Sequence, residues 1–136
     1  ASKEVDVGEI SRTKSEEEQI RVMEEQARHF RIQQRKRAAK DVILAGEEHL
    51  SNVLNLFDQV ARSGDWAKYH DEMITLIDSA SERFETVVSK YDDMLPLDGM
   101  DQRKLDKKLV LLDHLRTQAE NWLPASPVKD EATIRH

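Results

Sequence analysis

A chain of 136 residues with 35% charged and 38% hydrophobic residues, four glycines and three prolines has the make-up of one helical domain with much wetted surface. It has no cysteine, which excludes disulfides, thiolate metal sites and a cysteine nucleophile. A net charge of −6 argues against a chain that binds nucleic acid over its whole surface, and no apolar run approaches the roughly 20 residues of a membrane span.

Residues 1–14 are polar, carry mixed charge and lack periodicity, which predicts a flexible arm, unstructured unless something holds it. Ala1 is what removal of an initiator methionine leaves, and the first residues have no signal-peptide character. Together with the absence of cysteine, this gives the expectation of a chain in the cytoplasm or within a macromolecular particle rather than a secreted one.

Ser15-Glu16-Glu17-Glu18 reads as a capping box, with three carboxylates at the positive end of a helix. The helix it predicts runs to Arg62, before Ser63-Gly64. Gly46 is its weak point, at a cost of about 1 kcal/mol relative to alanine, so the alternative is two helices meeting there. From residue 39 onward Ala39, Ile43, Gly46, Leu50, Val53, Phe57 and Val60 follow alternating spacings of four and three, a core face widened by Leu54 and Ala61. Earlier, Ile20, Met23, Ala27 and Phe30 make a second stripe, displaced by roughly 140° on a straight helix. Residues 15–38 therefore read as a helical extension of a bundle formed by residues 39–123.

Asp65 opens a second helix to about Tyr91, with Trp66, Tyr69, Met73, Leu76, Ile77, Ala80, Phe84, Val87, Val88 and Tyr91 inward. Lys68, Asp71, Glu72, Asp78, Glu82, Glu85 and Lys90 face water. Asp92 to Gly99 is a loop whose Met94, Leu95 and Leu97 fold over the bundle end. Its acids suggest a calcium loop, but aligning Gly99 with the glycine of such a loop puts Met94 and Pro96 at ligand positions, so it is a turn. Asp98 or Asp101 caps a third helix, stopped by Pro124 near Leu123. Its inner face is Leu105, Leu109, Leu112, Leu115 or Arg116, Ala119 and Trp122, extended by Val110, Leu111 and Leu123. Residues 124–136 form a tail. Three segments of similar length with short connections give an all-α, up-down-up three-helix bundle with a long N-terminal helical arm, or four helices if the arm folds back.

No cofactor or metal is expected. Neither Glu-x-x-His nor His-x-x-x-Glu/Asp pairs occur around His29, His49, His70, His114 and His136, and no glycine-rich loop or nucleophile elbow is present. Residues 28–40 contain six basic residues and no acid, whereas residues 65–101 carry ten acids against Lys68, Arg83 and Lys90. Arg28, Arg31 and Arg35 share a face, flanked by Lys36 and Lys40, so these five are candidate phosphate-binding residues. They equally suit an acidic protein surface, such as the 65–101 face of another copy. Ile20, Met23, Ala27 and Phe30 form an apolar face that an isolated helix cannot bury, which makes them, with Arg28, Arg31 and Arg35, candidate partner-binding residues. The sequence thus reads as a non-enzymatic assembly protein, an adaptor, scaffold or structural subunit forming homo-oligomers or a larger complex through coiled-coil-like pairing. The alternative is a nucleic-acid-associated accessory protein using residues 28–40.

Overall fold

The computed structural model describes the backbone of residues 2–125 and the side chains of residues 13–122. It is all helical: α1 (Ser2–Ser63), α2 (Trp66–Lys90), a 3-10 turn (Asp92–Met94) and α3 (Gln102–Ala125), with no strand among the described residues. The contacts divide the chain into two units, Ala1–Arg37 and Ala38–His136.

The first unit is helix from Ser2, so Ser15 lies inside a helix and caps no start. Where an unstructured arm was expected for residues 1–14, residues 2–14 are helix. Once a turn exists, each added residue gains a hydrogen bond at little further entropic cost, and helix extends backward through a segment that would not start one. Every described side chain of this unit, residues 13–37, is exposed.

The second unit holds the core, which contains Ile43, Leu50, Val53, Leu56 and Val60 from α1, Met73, Ile77, Ala80, Phe84 and Val87 from α2, and Leu105, Leu112, Leu115 and Ala119 from α3. Helix α1 continues through Gly46 without a break. A Cβ at position 46 would stand 2.8 Å from Cε1 and 2.9 Å from Cζ of Phe84, whose side chain is fully buried. The glycine is therefore a close-approach site, and the two-helix alternative does not hold.

The band on α1 widens to one side only. Val42 and Leu56 are covered, with His49 half-buried between them at spacings of seven, while Leu54 is 46% exposed and Ala61 is exposed. Leu54 lies roughly 80° round the helix from Gly46, opposite in sense to Leu56. Periodicity locates the middle of a band but leaves open which edge its neighbours cover. The same holds for α3, where Val110 is 69% and Leu111 39% exposed, Trp122 is 41% exposed, and Leu115, not Arg116, enters the core. The Leu123 side chain and the 126–136 tail lie outside the described residues.

The connections follow their residues closely. Gly64 takes a positive φ of 71° and its N–H donates to the Val60 carbonyl at 2.7 Å, ending α1. Asp65 then caps α2 by accepting from the Lys68 N–H at 3.3 Å. Beyond the 3-10 turn, Leu97 and Met100 exchange two backbone hydrogen bonds across Asp98-Gly99, both at positive φ, a tight hairpin turn. Met100 is buried by it. Asp101 is the cap of α3, accepting from the Lys104 N–H at 2.8 Å, while Asp98 instead meets Lys40. Helix α3 ends at Ala125, two residues past the expected Leu123, a difference within the fraying of a last turn.

Arg116 lies at the edge of the core, holding Asp78 on α2 through Nε–Oδ1 at 2.8 Å and Nη2–Oδ2 at 3.3 Å, with Glu120 beside it. This fork raises the guanidinium pKa above its ordinary value by hydrogen bonding to Asp78. At the other end Phe57, Trp66 and Trp122 cluster, with Trp66 and Trp122 edge-to-face at 4.4 Å between centroids.

Two substitutions test this packing through the fluorescence of Trp66 and Trp122 during urea unfolding. Gly46→Ala gains about 1 kcal/mol of helix propensity but overpacks Phe84 at a cost of about 1–3 kcal/mol; a net loss is expected, smaller in a Phe84→Leu background. Asp101→Ala should cost about 1 kcal/mol. A stabilising Gly46→Ala would contradict the close approach.

Candidate protein-association helix

The stripe foreseen on the first unit is present as an exposed face. Ile20 is 55%, Met23 66% and Phe30 61% exposed, and Ala27 lies between them in sequence. Met23 follows Ile20 by three residues, Ala27 follows by four and Phe30 by three, so the four fall along one line of the helix. Shallow grooves run beside that line, one edged by Val22, Gln26, His29, Phe30 and Gln33 and another by Ser15, Glu18, Gln19, Val22 and Met23. Val22 (47% exposed) and Ile32 (37%) add apolar surface off the stripe. Val22 escapes a search for three-four spacing because it is out of phase with the four.

The charged candidates divide differently. Arg28, Arg31, Arg35, Lys36 and Arg37 are all exposed on the first unit, with no acid among residues 26–37. Lys40 belongs to the second unit, where its Nζ lies 2.8 Å from Oδ2 of Asp98. That hydrogen bond, with the attraction of the same carboxylate, raises the ammonium pKa above the usual lysine value. The five-cation row drawn from the sequence is therefore reduced by a lysine already committed to a carboxylate. Nothing local announced this, because Lys40 and Asp98 are joined by the bundle and not by spacing.

Elsewhere the chemistry is sparse. His70 sits beside Asp71 with Nδ1–Oδ1 at 3.2 Å and stacks edge-on against Trp66, while His29 and His114 are exposed; His136 lies outside the described residues. His49 Nδ1 and Trp66 Nε1 are buried without a hydrogen-bond partner. Among the described residues no cluster of three or more His, Asp or Glu could hold a metal ion, and no helix is long and apolar enough to cross a membrane. The exposed α2 acids include Asp71, Glu72, Glu82 and Glu85, but Asp78 is engaged by Arg116.

Compared with protein-family models, curated proteins and solved structures, the chain matches none.

Proposed function

We propose that the chain is a non-enzymatic assembly protein, a structural subunit, scaffold or adaptor acting in the cytoplasm or within a macromolecular particle. Its compact bundle is the body, and the exposed helical face at residues 20–30 is the contact by which it self-associates or docks. One observation carries the reading: Ile20, Met23 and Phe30 are each more than half exposed, on a helical unit with no buried side chain among those described. Exposed apolar residues scattered singly mean little, but a periodic line of them marks a surface that water leaves on association. Covering it contributes a few kcal/mol per chain at about 25 cal/mol per Å², enough for reversible pairing and more when repeated in a ring or filament.

A second reading is favoured by Arg28, Arg31, Lys36 and Arg37, four exposed cations with no acid in their segment. It makes the segment a phosphate-contacting surface and the protein a nucleic-acid-associated accessory.

Light scattering of the intact chain over a range of concentrations separates these. The assembly reading expects a multimer that Met23→Asp with Phe30→Asp converts to a monomer, while the tryptophan fluorescence of the bundle is unchanged. A wild-type chain that stays monomeric at every concentration refutes self-association. For the second reading, a labelled DNA duplex should bind with little sequence preference, log K falling by about 0.9 per phosphate contacted for each decade of salt; no binding at low salt removes it.

A further inference from the structure

The first unit carries a second pattern, in its charges, that names both the occupant of the apolar face and its direction. Residues 14–25 hold Glu16, Glu17, Glu18, Glu24 and Glu25 against Lys14 and Arg21, whereas residues 26–37 hold Arg28, Arg31, Arg35, Lys36 and Arg37 and no acid. All of these side chains are exposed. Two copies laid side by side in the same direction would set acid on acid and base on base; laid in opposite directions, each acidic half lies along a basic half.

The apolar stripe agrees with that orientation. We propose that the face is covered by a second copy of the same helix, running antiparallel, with Ile20 facing Phe30 of the second copy and Met23 facing its Ala27. Sliding the copies by one heptad either way sets at least one of the four against Glu16, Thr13, Gln34 or Arg37, so this register alone keeps all four against apolar partners. It also matches large with small at the Met23–Ala27 layers, where a parallel pair would stack Phe30 on Phe30 and Ala27 on Ala27.

The flanking positions are set by the same geometry. On one side stand Glu17, Glu24 and Arg31, and on the other Gln19, Gln26 and Gln33, each series spaced by seven residues. In the antiparallel pair Glu17 meets Arg31 of the second copy, and Arg31 its Glu17, giving two ion pairs. Gln26 meets its own copy, and Gln19 meets Gln33. Glu24 faces its own copy too, a like-charge contact that limits the affinity.

This pairing rests on the proposed association function, but its test is separate. The chain has no cysteine, so single substitutions supply the sole thiol. In the full chain under mild oxidation, Gln26→Cys is expected to form disulfide dimers by itself. Gln19→Cys and Gln33→Cys should form few alone but several-fold more when mixed. Glu24→Gln should strengthen dimerisation, and Glu17→Arg should weaken it until Arg31→Glu is added. A dimeric mass in which Gln26→Cys does not link, while Ala27→Cys links to itself, reveals a parallel pair and overturns the orientation with self-association intact. A dimeric mass with no link at any of these positions places the contact elsewhere, such as on the acidic α2 face, and overturns the proposal. A monomeric mass throughout overturns the pairing and refutes self-association as well.

Discussion

The bundle turns on the contact between Gly46 and Phe84. A phenylalanine ring lying at 2.8 Å from where a side chain would begin can be fully buried only if position 46 has none. The ring's burial is what lets α2 approach α1 closely at position 46, and Phe84 shares one buried cluster with Ile43, Leu50 and Val53. A glycine in a helix interior is usually a loss of about 1 kcal/mol. Here the loss is offset by dispersion contacts around one aromatic ring, which a larger residue would push apart.

What the sequence made legible was whatever depends on a local period or a local cap. Ala39, Ile43, Leu50, Val53 and Val60 are buried as their spacing requires, α2 follows its inward residues almost throughout, and Gly64 and Asp65 end one helix and begin the next as their chemistry dictates. What it left open was whatever depends on a neighbour. Leu54 and Leu56 are equally apolar and two residues apart, and only the packing partners decide that Leu56 is the covered one. Gly46 looks the same in sequence whether it is a hinge or a seat for a ring. Ser15 through Glu18 show the converse error: good capping chemistry marks where a helix could start and says nothing about whether the helix has already started. On the first unit, the exposed apolar stripe was visible in the phase difference between the two halves of α1, whereas Lys40 could be separated from the other cations only once Asp98 had been placed beside it.

The two units differ in how they are stabilised. The bundle draws on buried side chains from three helices and on the Arg116–Asp78 fork across two of them. The helical segment up to residue 37 draws on the backbone hydrogen bonds of α1, and acid–base spacings of four such as Glu17 to Arg21 and Glu24 to Arg28 add a few tenths of a kcal/mol each on an exposed helix.

A helical segment whose described side chains are all wet, as at residues 13–37, also has a distinctive dynamic character. Its amides are shielded from solvent exchange only by the helix–coil equilibrium of the segment itself, not by global unfolding of the bundle. Any partner that covers the Ile20–Phe30 face therefore does two things in one event, removing apolar surface from water and suppressing the opening of about three turns of helix. Part of the contact free energy goes into that ordering. The bound and free forms then differ more in rigidity than in shape, so occupancy is written in exchange rates before it is written in any displacement of atoms.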